Sequence, residues 1–182
     1  MANSFCRLAA ATLILINAPA QAAALSVGPP CSVARSFATA TLLHNGTVIV
    51  AGGLSGPYVV SSTELFSPAT GTWTSLPSMS TPRHMHTATL LQDGRVLVVG
   101  GNATTTSTQA SAEIYDPVRN TWRSVGSLPK PRYGHSSLVL PNGKVLIVGG
   151  AYHSTWINSV EIFDPWTETF STVGSLNVAR AG

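Results

Sequence analysis

The chain has 182 residues, of which 44% are apolar and only 9% are charged, and its formal net charge is +3. This apolar composition, with a mean hydropathy of +0.23, excludes intrinsic disorder. The weak positive charge, without any run of basic residues, argues against nucleic acid as a partner, and two cysteines are too few for a disulfide framework. The 16 glycines and 12 prolines favour short strands and turns over long helices.

The N-terminal segment has the organisation of a secretory signal peptide. Arg7 precedes an apolar stretch over 8–16, and a motif of small residues ends at Ala22. The stretch is shorter than the roughly 20 apolar residues that a spanning helix needs, and the order of charge, apolar stretch and small residues is typical of a cleaved signal. We predict a signal peptide over 1–22 and a linker over 23–34. The mature chain would be secreted or periplasmic, with no membrane anchor.

The remaining sequence is a repeat. Landmark residues recur at spacings of 48 and 49 residues, and such a fixed period indicates a repeat architecture. Successive units begin at Arg35, Arg83, Arg132 and Arg180, which gives repeats over 35–82, 83–131 and 132–179 and the start of a fourth at 180. The domain therefore covers 35–182. The other recurring residues, which we interpret as structural, are Gly52, Gly53, Gly100, Gly101, Gly149, Gly150, Glu64, Glu113, Glu161, Trp73 and Trp122.

Each unit is predicted to contain four short strands. The first strand, for example HTATLLQ from His86, runs into an Asn-Gly or Asp-Gly turn such as Asp93-Gly94, which suits a two-residue hairpin. The second strand, such as RVLVVGG, is apolar throughout and should be buried on both faces. The third, such as AEIYDP, ends at a proline that cannot donate to a sheet ladder, and the fourth begins at TWRSV. Because the second strand needs cover on both faces, we predict sheets stacked around an axis, as in a β-propeller.

The order of these motifs resembles the kelch repeat in its galactose-oxidase-like form. The resemblance rests on R-x-x-H, L-x-x-G-x-V-L-V-V-G-G, E-I-Y-D-P and T-W, and it extends over residues 35–180. It implies an all-β fold of kelch-type propeller blades, each a four-stranded antiparallel sheet. WD-type repeats match poorly, because no repeat ends in Trp-Asp and a Gly-His pair occurs in one repeat alone, at Gly134-His135.

Function is expected where the repeats differ. Because strands alternate in direction, the connection after each second strand and the links between repeats share one face, and binding residues concentrate on such variable loops. The candidate ligand-binding residues on this face are Tyr58, His84, Tyr133, Tyr152, His153 and Trp156. Exposed aromatic side chains with histidine can stack on a peptide or a sugar. The alternative is a structural role, in which Tyr152 and Trp156 simply cover a neighbouring loop. The expected partner is a protein or a carbohydrate.

The chemistry of galactose-oxidase-like enzymes does not transfer residue by residue. The resemblance implies a copper held by tyrosine and histidine, with one tyrosine cross-linked to a cysteine. Cys31, the one cysteine after the signal, precedes the first repeat, and no ligand motif is recognisable. We therefore predict no cofactor, no metal site and no catalytic residue. Whether the chain is an enzyme stays open, with the balance against it. An exported binding scaffold and the N-terminal fragment of a carbohydrate-active kelch enzyme both remain hypotheses.

Three repeats form an incomplete ring, because propellers typically have 4 to 8 blades. Two expectations follow. Either the chain is part of a longer propeller, or it is a half-propeller that self-associates through its open blade edges.

Overall fold

The computed structural model describes residues 31–104 and 106–181, so the predicted signal peptide lies outside the described residues. The described chain contains sixteen strands and no helix. Within this part of the protein there is accordingly no helix long and apolar enough to cross a membrane. The predicted all-β fold is confirmed.

The strand bounds follow the three repeats. The first repeat contains β1 (Thr39–Leu42), β2 (Val48–Ala51), β3 (Leu54–Ser55), β4 (Tyr58–Val59), β5 (Thr63–Ser67) and β6 (Thr72–Leu76). The second contains β7 (Thr87–Leu90), β8 (Val96–Val99), β9 (Ala112–Asp116) and β10 (Thr121–Val125). The third contains β11 (Ser136–Val139), β12 (Val145–Val148), β13 (Ala151–Tyr152), β14 (Thr155–Trp156), β15 (Ser159–Asp164) and β16 (Thr169–Ser175).

Each repeat forms one four-stranded antiparallel blade. The strand orders are β1-β2-β5-β6, β7-β8-β9-β10 and β11-β12-β15-β16. The predicted four-stranded units are confirmed. Two short hairpins, β3–β4 and β13–β14, were not predicted, because each has only two residues per strand. They extend the loops of the first and third blades.

The blades stack side by side through their first strands. Strand β7 contacts β1 on one side and β11 on the other, so the first strands lie on the inside of an arc. The three described blades do not close a ring. Each blade is pleated with apolar residues on both faces, which brings the side chains of neighbouring sheets into contact.

The core lies between blades. Between the second and third blades it includes four residues that are 0% exposed: Leu97, Ile114, Ile147 and Phe163. All four residues of β8 are buried, as predicted for a strand covered on both faces. In β12, burial alternates between buried and half-buried residues, because the outer face of the third blade has no described neighbour. The expectation of burial on both faces therefore holds for the middle blade and fails for β12.

The repeated arginine and glutamate form buried ion pairs. The N···O distances are 2.7 Å for Arg35–Glu64, 2.9 Å for Arg83–Glu113 and 2.7 Å for Arg132–Glu161, and the side chains are almost wholly inaccessible. The Nη1 of each arginine also donates to the carbonyl of the first glycine of its blade, at 3.0, 2.9 and 3.0 Å. Burial of these charges is tolerated because every pair is hydrogen-bonded to the backbone as well.

The glycine pairs join one blade to the next. The amide of Gly101 donates to the carbonyl of Arg132 at 2.8 Å, and Gly150 does the same to Arg180. Gly100 has φ +62°, and a Cβ there would lie 2.5 Å from the carbonyl oxygen of Arg132. Only glycine permits this backbone conformation and this approach together.

The repeated aromatic residues pair across the third and fourth strands of each blade. Ring centroids are 4.9 Å apart for Phe66–Trp73 and 5.2 Å apart for Tyr115–Trp122. The indole of Trp122 also donates to the carbonyl of Pro77 at 2.9 Å and packs against the core between the first two blades. These rings therefore fill the space at the outer part of the blade interface.

Candidate functional site on the loop face

The two ends of the blades differ in chemistry. We call "loop face" the end formed by 52–62, 100–111 and 149–158 together with the links 77–86 and 126–135. The opposite end, the "turn face", consists of the tight turns over 43–47, 91–95 and 140–144 and the third-to-fourth strand turns over 67–71, 116–120 and 164–168. The six candidate residues predicted from sequence all lie on the loop face.

The two unpredicted hairpins present aromatic side chains to solvent. Tyr58 on β4 is 73% exposed and Trp156 on β14 is 63% exposed. Tyr152 on β13 is 39% exposed, and its ring centroid lies 4.2 Å from that of exposed His153. Tyr58 belongs to the first blade and the other three to the third. The structure thus presents these side chains as two separate exposed groups.

His84 is not exposed, contrary to the expectation that it lines the face with the aromatic residues. It is only 7% accessible, and its Nδ1 lies 3.0 Å from the carbonyl oxygen of Asn102. Burial lowers its pKa, which the hydrogen bond with Asn102 partly opposes. The backbone of His84 also pairs with Asn102, and the contact of the ring with the Asn102 carbonyl holds the side chain against the loop.

Tyr133 occupies the equivalent position in the third repeat and is half-buried. Its backbone pairs with Ala151, and its hydroxyl donates to the carbonyl of His153 at 3.1 Å. Tyr133 therefore supports the β13–β14 hairpin rather than standing free on the surface. This bracing holds Tyr152 and Trp156 in a defined position.

Phe37 and Met85 were missed by sequence reasoning. Both adopt positive φ, +54° and +55°, which is uncommon for non-glycine residues. Phe37 is 51% exposed, and its ring centroid is 6.4 Å from that of His84. The amide of Met85 donates to the carbonyl of Phe37 at 3.2 Å, and Gly134 donates to Met85 at 2.9 Å. These bonds connect the three blades next to their first strands.

A sequence signal for this feature did exist. Phe37, Met85 and Gly134 each stand two residues after the repeated arginine, and Gly134 has φ +57°. A glycine in one repeat indicates a positive φ in all, since equivalent positions share a backbone conformation. Left-handed backbone at a bulky residue is a local cost that the surrounding structure must offset.

The loop face carries no carboxylate. The sequence has seven acidic residues. Three are in the buried pairs, and the other four are Asp93, Asp116, Asp164 and Glu168 on the turn face. In the described ranges no group of three His, Cys, Asp or Glu side chains could hold a metal ion. The exposed chemistry of the loop face is therefore aromatic and hydroxylic, with Lys130 as an exposed cation, which suits non-covalent binding.

This combination of stacked four-stranded sheets and variable loops at one end defines a β-propeller repeat protein, a class that binds partners on rigidly held loops. A family model, the KLHDC2/KLHL20/DRC7 kelch-repeats domain, matches residues 20–179. The chain therefore belongs to the kelch-repeat family. No curated protein matches it. Kelch domains generally bind other proteins, so the fold is that of a protein-interaction scaffold.

Proposed function

We propose that this chain is an exported kelch-repeat scaffold that recognises a partner protein through its loop face. The observation that carries the proposal is the exposure of Tyr58, Tyr152 and Trp156 on hairpins whose backbones are tied to rigid blades. Aromatic side chains supply large contact areas at low conformational cost and dominate the energetics of many protein interfaces.

Rigid placement supports the same proposal. The β13–β14 hairpin is braced by the hydroxyl of Tyr133, and the β3–β4 hairpin is joined to Ser36 by a backbone bridge. A surface that is already ordered loses little side-chain and loop entropy when it binds. The lack of carboxylates on this face favours a partner segment that is apolar or acidic over one that is basic.

A peptide library displayed on phage tests the proposal with protein purified from the exported fraction, whose N-terminal residue should be Ala23 if residues 1–22 are removed. We expect selected peptides to bind the wild type and to lose at least about tenfold in affinity to the Tyr58→Ala/Trp156→Ala double variant, since truncating one interface anchor costs more than about 1 kcal/mol. Val118→Ala is the matched control, because Val118 is 92% exposed on the turn face.

Three results would count against the proposal. Peptide binding that is unchanged in the double variant would remove the loop face, and a chain that retains residues 1–22 in the cell would remove export. Oligosaccharide binding that depends on Tyr58 or Trp156, without peptide binding, would replace the protein partner by a carbohydrate. The narrower galactose-oxidase-like and enzymatic alternatives stay predictions of the sequence.

A further inference from the structure

The turn face carries its own exposed aromatic residue. Trp166, in the turn between β15 and β16, is 91% exposed. The equivalent turn positions hold Ala69 in the first blade and Val118 in the second. The turn itself is kept in all three blades, since Gly71, Asn120 and Glu168 all close it at positive φ. The side chain at the tip is thus the part that changes.

The Trp166 turn is held rigidly by ion pairs. The carboxylate of Asp164 accepts from the amide of Trp166 and from Lys144 Nζ, both at 2.9 Å. Glu168 accepts from Arg123 and, at 2.9 Å, from Arg95, two residues of the second blade. The hydrogen bond from Arg123 is the main reason that the pKa of Glu168 falls to about 2. The turn is therefore ordered before any ligand binds.

Trp166 borders a shallow groove between the second and third blades. The groove is lined by Leu91, Gln92, Asp93, Gly143, Pro165 and Trp166. A Cβ on Gly143 would lie 2.8 Å from Oε1 of Gln92, so this glycine leaves room for the carboxamide. Asp93 accepts from the amide of Arg95 at 3.1 Å and from its Nε at 2.8 Å, yet 47% of its side chain is accessible. Hydrogen-bonding capacity toward the groove remains on both Gln92 and Asp93.

The charges around this groove are balanced. Each of the four acidic residues on the turn face is paired with a basic residue: Asp93–Arg95, Asp116–Arg119, Asp164–Lys144 and Glu168–Arg123. A charged ligand would have to compete with these pairs for its counter-ion. A neutral ligand that offers hydroxyl groups and an apolar face has no such cost.

We propose that Trp166, Gln92 and Asp93 form a binding site for a neutral saccharide. The indole would stack on the C–H face of a sugar ring, while the carboxylate of Asp93 accepts from sugar hydroxyls and the carboxamide of Gln92 both donates and accepts. A sugar ring matches a flat aromatic surface flanked by planar polar groups. This site lies at the end of the blades opposite to the loop face and does not depend on the proposed protein-binding function.

Isothermal titration with cellohexaose, mannohexaose and xylohexaose tests the site, with the indole N–H resonance of Trp166 followed by NMR. We expect at least one of these neutral hexasaccharides to bind and to shift that resonance. Trp166→Ala should weaken binding at least about tenfold. Val118→Ala, the same change at the equivalent tip of the second blade, should leave affinity unaltered. Both side chains are more than nine-tenths exposed, so both variants should melt with the wild type.

The proposal fails if none of the three hexasaccharides binds at about 10 mM, a concentration that reveals even weak sites. It also fails if binding survives in Trp166→Ala, or if peptides from a displayed library shift the Trp166 resonance while the saccharides do not. The Tyr58→Ala/Trp156→Ala variant keeps this test separate from the loop face, because saccharide binding at Trp166 should persist in it.

Discussion

At the residue scale, one substitution between repeats changes a buried ion pair. Ser32 and Ser80 donate their backbone amides to Glu64 and Glu113, at 2.9 and 2.7 Å. Pro129 takes this position in the third repeat and has no amide hydrogen to donate. Within the described residues, Oε2 of Glu161 consequently has no hydrogen-bond partner. The three Arg–Glu pairs, identical in sequence, are thus unequal in their hydrogen bonding.

This difference predicts unequal effects of the same mutation. Glu113→Gln should destabilise the fold by about 1–3 kcal/mol more than Glu161→Gln, because the new amide group of the first variant would face the amide hydrogen of Ser80. No such donor faces Oε2 of Glu161. Urea unfolding of both variants measures the two free energies. An equal or reversed order would contradict the role assigned to Pro129.

At the element scale, the second strand of each blade depends on its neighbours for burial. Leu97 in β8 is 0% exposed between two blades. Leu146 holds the equivalent position in β12 and is half-buried on the outer face of the third blade. The same leucine therefore has a complete core environment in one strand and a partial one in the other.

Leu97→Ala should lower the free energy of unfolding by about 2–5 kcal/mol, the usual cost of emptying a buried leucine site. Leu146→Ala should cost about half of this or less, because less apolar surface is withdrawn from water at that site. Denaturant titration of the two variants provides the comparison. A cost at Leu146 as large as that at Leu97 would show that the outer face of the third blade is covered in solution.

At the scale of the whole molecule, hydrogen bonds link the residue just before one first strand to the first strand of the preceding blade and hold the arc together. The Nε2 of His86 lies 3.0 Å from Oγ1 of Thr39, and that of His135 lies 2.9 Å from Oγ1 of Thr87. Both histidines are only 5% exposed. Burial, followed by the charge of the nearby repeated arginine, lowers the pKa of each to about 3. They remain neutral in the folded protein at any ordinary pH.

Acid should therefore destabilise the stack of blades. In the unfolded chain these histidines take up protons below pH 6.5, while in the folded protein they do not until about pH 3. Their contribution to the free energy of unfolding is therefore complete above pH 6.5 and is lost as the pH is lowered. Each histidine contributes at most about 1.4 kcal/mol per pH unit. Urea unfolding between pH 7 and pH 5 should show this loss. The double variant His86→Gln/His135→Gln should remove most of the change of the unfolding free energy with pH. A wild-type stability that does not change between pH 7 and pH 5 would contradict the prediction.

The sequence by itself determined the number, order and antiparallel arrangement of the blade strands. Turn residues such as Asp93-Gly94 and the apolar run of β8 act locally, and their repetition at a fixed period makes each signal reinforce the others. The recurrence of arginine and glutamate at the same period also indicated a structural role for both, and the structure shows that role to be a set of buried ion pairs.

Only the tertiary structure decided which side chains are exposed at the two ends of the blades. His84 is buried against the carbonyl of Asn102 whereas Phe37 is exposed, and hydropathy does not encode such contacts between links and loops. Trp166 occupies a turn position that recurs in all three blades, but the groove beside it is formed by residues of both the second and the third blade. Strand signals are local to the chain, whereas surfaces between blades arise from residues about 48 positions apart, whose relative placement depends on packing.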